Sequence, residues 1–423
     1  MRAVLSILAT EHFLKSYICR LRILHTADWH LGKKLEHFSR LEEQRLVLDE
    51  ICAMADAENV DVVLVAGDLF DNVNPAAEVV ELLYKTLKKL TAQGSRPVIA
   101  IAGNHDSADR IESPEPLAKE CGIFFSGYPH TCMPTFATES NIRILRSAPG
   151  FIELQLPRAN ELLRLVLTPY ANEIRLKTFL GLENPDAGLN ELLKEKWQSL
   201  ADTYCDSRGV NILMAHLYMM QKGSAMPEES EDERPVLMGN ASAIFTENIP
   251  AQIQYTALGH IHRGQCLDKE KRVHYSGSPL AYSFSEAGQK KHVNIIDVQP
   301  DAKAVVRSVP LQNGKPLHRK KFTCVDDALA WLAENQEALV ELSMQTEQFL
   351  SAKDRKAILH AHQGIVSIIP EMVDVANSPE TKTNIDLSQN IESLFQQYFK
   401  FRKGQDISKE LMELFKEMQS RAS

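Results

Sequence analysis

Five short clusters of acids, amides and imidazoles stand before residue 263 of this 423-residue chain: Asp28-Trp29-His30, Gly67-Asp68, Gly103-Asn104-His105-Asp106, His216 and Gly259-His260-Ile261-His262. Carboxylate, imidazole and amide donors without a thiolate suit manganese, iron or zinc better than a soft metal or a purely calcium site. Two such ions, about 3.5–4 Å apart, would clamp both oxygens of an in-line phosphoryl displacement. Asp28 and His30 are two positions apart, as are His260 and His262. In extended backbone such residues point the same way, so each pair offers two donors to a small volume. Gly67, Gly103 and Gly259 precede the donors, where a close backbone approach or sharp turn is needed. Any one of these histidines alone is more often a structural residue. The five clusters in order carry the reading.

The clusters fall where strands should stop. The first follows the apolar run at Ile23-Leu24 that ends in His25-Thr26. The second follows Val60 to Ala66, a β-branched run that reads as a buried parallel strand. The third follows Pro97 to Ala102, and His216 and His260 close runs at Val210 to Ala215 and Ile253 to Leu258. Ligands of open α/β sheets bind beyond the carboxyl ends of strands, so five polar clusters should meet in one crevice. Between the strands, Leu41, Leu48, Ile51, Cys52 and Ala55 mark a helix over about 39–57. Val79, Val80, Leu83, Leu87 and Leu90 mark another, with Asn74-Pro75 as its expected start and Gly94 as its end. More strands are expected at Leu163 to Thr168, Val273 to Ser276 and His292 to Val298, and a polar loop with an acid run, Glu228 to Glu233, before Ile244. The order indicates an α/β domain. Past residue 300 the pattern changes to strand, helix, strand, helix, strand through Ile369, a small two-layer α+β module. A polar stretch from Asn377 to Thr383 then leads to two amphipathic helices.

Composition sets bounds. Hydrophobic residues make up 44% of the chain and charged residues 24%, ordinary for a globular protein with room for a catalytic domain and smaller units. Seven cysteines stand singly with no CxxC pair, which argues against a disulfide framework or a cysteine zinc site and fits a reducing cytoplasm. No apolar run approaches the roughly 20 residues of a membrane helix. The first 20 residues hold a short apolar patch, Ala3 to Ala9, closed by Glu11, His12 and Lys15. They read as an extension rather than a signal peptide. The net charge of −9 is awkward for nucleic-acid binding, which rests on neutralising phosphates. Bound divalent cations add positive charge where phosphate must sit, and a partner protein could supply the rest.

The set D-x-H, G-D, G-N-H-D, H and G-H-x-H resembles the calcineurin-like metallophosphoesterase superfamily. His25 to Gly32, Gly67 to Asp71, Ser230 to Pro235 and the long stretch Tyr275 to Gly288 resemble its DNA-repair branch, strongly over residues 21–300 and mostly by layout from 301 to 423. The resemblance implies a metallophosphoesterase β-sandwich flanked by helices. The domains would be an N-terminal extension (1–20), a nuclease domain (21–300), an α+β capping domain (301–376) and a linker with C-terminal helices (377–423).

It also implies roles. Asp28, His30 and His262 would hold one ion, Asn104, His216 and His260 the other, with Asp68 bridging both and manganese the expected metal. His105 would sit by the scissile phosphate and help protonate the leaving oxygen. Asp71 and Asp106 would orient a ligand histidine, though as turn or cap residues they are equally at home. Lys33, Lys34, Arg40 and Arg110 lie near enough in sequence to meet DNA phosphates. The activity implied is 3′-to-5′ exonuclease action on duplex ends and endonuclease action on single strands or hairpins, in DNA repair and recombination. The partners implied are DNA, a second copy joined through helices near Ala76 to Leu90 and Pro114 to Cys121, and a coiled-coil ATPase. That ATPase would complete a heterotetramer and be gripped by a C-terminal segment including Leu394, Phe395, Tyr398, Phe399, Leu411, Leu414 and Phe415, which could equally form an ordinary helical hairpin core. A phosphoesterase for a small substrate would need neither the module nor those helices. A non-catalytic scaffold would be marked by lost ligands.

Overall fold

A computed structural model of the protein describes residues 20–170, 188–224, 243–346 and 350–372, with 393–396, 399, 407, 411–412 and 415 near the C-terminus. The N-terminal patch, the acid run Glu228 to Glu233, the motif Ser230 to Pro235, and Asn377 to Thr383, Tyr398 and Leu414 lie outside the described residues.

The chain begins with β1 (Leu21–Thr26), α1 (Leu41–Ala57), β2 (Val62–Ala66), α2 (Ala77–Leu90), β3 (Val98–Ile101) and β4 (Ile123–Ser126). It continues through β5 (Phe136–Ala137), β6 (Arg143–Ala148), β7 (Phe151–Gln155), β8 (Leu162–Thr168), α3 (Leu189–Tyr204), β9 (Gly209–His216), β10 (Tyr255–Gly259), β11 (Gln265–Asp268) and β12 (Val273–Tyr275). It returns in β13 (His292–Val298) and β14 (Val305–Pro310). The six-stranded sheet has the order β14-β13-β1-β2-β3-β4, and the eight-stranded sheet the order β11-β12-β10-β9-β8-β7-β6-β5. Strands β1 to β4 run parallel, as do β8, β9, β10 and β12.

Every residue of β2 is buried, and alternation divides them between two cores. Val62 and Leu64 join Ile212, Met214 and Tyr255 between the two sheets, while Val63 and Val65 meet Leu48 and Ile51 of α1 and Leu83 and Leu87 of α2. The far side of the second sheet packs Val166, Leu213 and Leu258 on Trp197 and Leu193 of α3. The domain is therefore a β-sandwich with helices outside each sheet, the expected fold. Strand β14 carries the first sheet past residue 300.

One local expectation is corrected, and three elements, β6, β7 and α3, went unread in the sequence. Helix α2 starts at Ala77 with Ala76 in the cap position and no side-chain cap, because Asn74 lies too far ahead of the first turn. Asn74 Oδ1 instead accepts from Arg110 Nη2 at 3.3 Å. The β6–β7 pair and α3 carry no clean apolar periodicity: β6 is largely exposed, and α3 is studded with charge.

The small module follows as β15 (Leu317–Phe322), α4 (Val325–Glu334), β16 (Leu339–Thr346), α5 (Ala352–Ala361) and β17 (Ile365–Met372), with a three-stranded sheet ordered β15-β16-β17. Its core joins Leu332 and Ile358 of the helices to Val340, Leu342 and Met344 of β16. Residues up to Glu371 form one compact unit and Met372–Ser423 a second, in which Phe395 stacks on Phe415 with centroids 4.0 Å apart.

Candidate metal centre

Strands β1, β2 and β3 of one sheet and β9 and β10 of the other deliver all five clusters from their carboxyl ends. The turns that aim them are not the extended backbone expected. Asp28 (φ 55°), His30 (φ 43°), Asp68 (φ 48°) and His260 (φ 112°) all have positive φ. Such conformations cost roughly 1–3 kcal/mol each and persist only where the surroundings over-determine them. Here the surroundings are hydrogen bonds from Asp28 N to the Gly67 carbonyl (3.0 Å) and from His30 N to the Asp68 carbonyl (2.9 Å). His260 N donates across the sandwich to Asp28 Oδ1 at 2.8 Å. Close approach explains two glycines. A β-carbon at Gly103 would lie 2.1 Å from Asp68 Oδ1, and one at Gly67 2.2 Å from His216 Nδ1.

The donor atoms fall into two groups that share Asp68. In one, His30 Nε2 lies 2.9 Å from His262 Nε2 and 3.5 Å from Asp68 Oδ2. Asp28 Oδ2, fully buried, has no hydrogen-bond partner among the described residues. In the other, Asn104 Oδ1 lies 2.9 Å from His216 Nε2 and 3.0 Å from His260 Nδ1, and His216 Nε2 is 3.4 Å from Asp68 Oδ2. Asp68, His216 and His260 present donors within 4.8 Å of one another, as do His30, Asp68 and His105. Imidazole nitrogens face to face, a buried carboxylate oxygen without a donor, and an all-oxygen-and-nitrogen set fit divalent cations.

Residues 21–264 match the calcineurin-like phosphoesterase family. The chain is 36% identical over 412 residues to the SbcD subunit of the nuclease SbcCD from Bacillus subtilis (strain 168), covering 95% of this chain and 98% of that one. The chain belongs to the SbcD family of calcineurin-like phosphoesterases. Two further SbcD subunits are similar. That of Rhodobacter capsulatus is 35% identical over 71% of both chains, and that of Staphylococcus saprophyticus 30% identical over 71% of this chain and 70% of its own.

Divalent-metal binding follows from membership in this SbcD family and from the clustered side chains. Before any cation enters, charge is unevenly held. Burial pushes the Asp28 carboxyl up to about 7. Burial alone would depress His216, but the Asp68 and Asp28 carboxylates outweigh it and raise His216 to about 9. Burial drives His260 down to about 3, leaving a neutral donor.

The expected helpers behave differently from one another. The Asp106 carboxylate grips backbone where a histidine ring was expected. It accepts from the backbone N–H groups of Leu69 (3.0 Å), Phe70 (2.9 Å) and Gly103 (2.8 Å), tying together the turns that carry Asp68 and Asn104. It thereby holds in place the turn that follows Asp68. The Asp71 carbonyl accepts from His105 Nδ1 at 2.7 Å, while its carboxylate lies 3.9 Å from His30 Nδ1. Arg40 is corrected as a DNA contact: it is 1% exposed and bonded to Glu43 and to the Ala281 carbonyl. Lys34 and Arg110 are exposed, and Lys33 lies 3.4 Å from Asp71. Lys33 and Lys34 line a recess of about 510 Å³ with Gly32, Glu36, Asp71 and Asn72.

The sequence reading missed three supporting groups. Gln44 of α1 donates to the His30 carbonyl at 2.8 Å and accepts from Gly32 N at 3.0 Å. Tyr282 donates to the Trp29 carbonyl. Glu286 faces His262 Nδ1 at 3.3 Å. The last two lie within the long stretch Tyr275 to Gly288, whose density of polar and aromatic residues was the one signal that could have found them.

Proposed function

We propose that this chain is a manganese-dependent DNA nuclease acting with an SbcC-type coiled-coil ATPase, as a 3′-to-5′ exonuclease on duplex ends and an endonuclease on single strands and hairpins. The observation that carries the reading is the pair of donor groups sharing Asp68 beside His105. Asp28, His30 and His262 would hold one cation, Asn104, His216 and His260 the other, and Asp68 would be shared between them. When bound, two such cations supply Lewis-acid stabilisation of the phosphate and activate the attacking water.

His105 has the geometry for proton transfer. A carbonyl only accepts, so the contact with Asp71 places the proton on His105 Nδ1 and leaves Nε2 as the atom that takes or gives one. Asp71 thereby holds the ring, and the doubly protonated ring gives its Nε2 proton to the leaving oxygen as general acid, ending in the neutral form with the proton on Nδ1. Clustering with His30 and Asp68 favours a second reading, His105 as a ligand. Similarity to an SbcD subunit over nearly the full length supports DNA over a small phosphodiester, and the complete donor set speaks against a bare scaffold. Homodimerisation is supported by Leu117, 79% exposed, and Val73, 49% exposed, near the expected helices, whereas Leu83 and Leu87 are spent on the core. The net charge of −9 leaves much of the DNA affinity to the ATPase.

The test is cleavage of labelled duplex and hairpin DNA with Mn²⁺, with and without the ATPase. Shortening from duplex ends and opening of hairpins are expected; turnover of small phosphodiesters alone overturns the reading. His105→Leu should lower cleavage by about 10²–10⁴-fold with metal content unchanged. Loss of metal in that variant would make His105 a ligand.

A further inference from the structure

Glu286 sits at the meeting point of two otherwise separate parts of the molecule. It closes a short 3₁₀ turn, Phe284–Glu286, capped by Ser283. Its carboxylate is buried, with Oε1 3.3 Å from His262 Nδ1 and accepting from Tyr282 N at 3.1 Å. Lys291 Nζ bonds the other carboxylate oxygen and donates to the His262 carbonyl at 3.0 Å. The side chain and the backbone of His262 are thus both gripped by one buried ion pair, while its Nε2 faces His30.

The opposite end of the same turn belongs to the small module. Phe284 packs in a cluster with Leu317 of β15, Leu339 of β16, Val366 of β17 and Leu35. Leu35 follows closely on His30 and pairs with Phe38 in a two-stranded ribbon. All three module strands therefore press on two segments, one carrying Glu286 and the other leading out of the Asp28–His30 turn. The link into the module is itself tied to α1, where Glu43 accepts from Lys315 N at 2.8 Å and Glu50 from Gln312 N at 2.7 Å.

We propose that Glu286 is a positioning residue for His262, and that docking of the α+β module on Phe284 and Leu35 sets its position, so that the module tunes the cation between His30 and His262 and not the one at His216 and His260. This rests on the reading of His262 as a ligand. Metal-bound histidines are oriented by a partner at the second ring nitrogen, and loss of that partner lowers affinity by about 10–100-fold. The module has no side chain in either donor group, so its influence passes through the seam.

The experiment titrates the metal-free full-length chain with Mn²⁺ alone, counting bound ions by the loss of the free-ion electron paramagnetic resonance signal. The wild type should bind two. Glu286→Gln should weaken one site by about 10–100-fold and spare the other, with partial recovery in Glu286→Asp. Val366→Ala, which trims the seam from the module side, should weaken the same site severalfold, and it keeps the test alive should Glu286→Gln not fold. Circular dichroism checks folding. Two unaltered sites in folded variants, or equal weakening of both, overturn the proposal. If the wild type binds no Mn²⁺, or His262→Ala leaves both sites intact, the ligand assignment has failed instead.

Discussion

Three residues ahead of Asp28, His25 is fully buried between the sheets and does no chemistry. Its Nε2 must donate to the Leu258 carbonyl, 3.1 Å away, so Nδ1 accepts from the Tyr255 hydroxyl at 2.9 Å. The Tyr255 bond requires the neutral ring, whereas the Leu258 bond favours the charged one; burial, aided by His274, outweighs the latter and pushes the pKa down to about 3. An unfolded histidine titrates near 6.5, so the unfolded chain binds the extra proton first. Stability from this residue is complete above about pH 6.5 and drains as pH falls towards 3, at up to about 1.36 kcal/mol per pH unit. His25→Gln should flatten the urea midpoint against pH between about 6.5 and 4 in the metal-free chain; an unchanged slope refutes the assignment. His25 also marks the limit of reading residues from sequence. The seven donors were legible because type and spacing coincide at strand ends. For Glu286 only the polar and aromatic density of Tyr275 to Gly288 was legible, because its pairing with His262, 24 positions away, is set by the fold.

Helix α1 is tied both to the site and to the link into the module. Its Gln44 holds the Asp28–His30 turn, Glu43 and Glu50 hold the link to the module, and Arg40 at its start is locked to Glu43 and Ala281. Arg40→Ala strands a buried carboxylate and should cost about 3–5 kcal/mol in urea unfolding. It should leave the salt dependence of DNA binding alone, since no phosphate contact is lost; a slope smaller by about 1 would return Arg40 to the DNA. Apolar spacing predicted α1 and its buried face well, with Leu48, Ile51, Cys52 and Ala55 all in the core. It predicted the strand ends but not the left-handed turns beyond them, because positive φ at Asp28, His30, Asp68 and His260 is imposed by the loops they pack against. Propensity alone would have put glycine there.

At the scale of the whole molecule, the strands were legible and their partition into two sheets was not, because alternation tells which faces are apolar without saying what covers them. The residues from Met372 onward form a compact unit of their own. A chain ending at Glu371 should fold, bind Mn²⁺ as the full chain does and fail to capture an SbcC-type ATPase in a pull-down. Capture by the shortened chain would move the partner surface elsewhere. The sandwich has a consequence for the life of the chain. Four of the proposed ligands, Asp28, His30, Asp68 and Asn104, are translated early, and His216, His260 and His262 arrive only after a long intervening segment. In that assignment each cation would draw on both groups, so a half-made chain on the ribosome would offer neither a complete nest. Metal loading would then be an event of the finished fold, and a scarce or mistaken ion in the cell would meet this protein only after its geometry can discriminate.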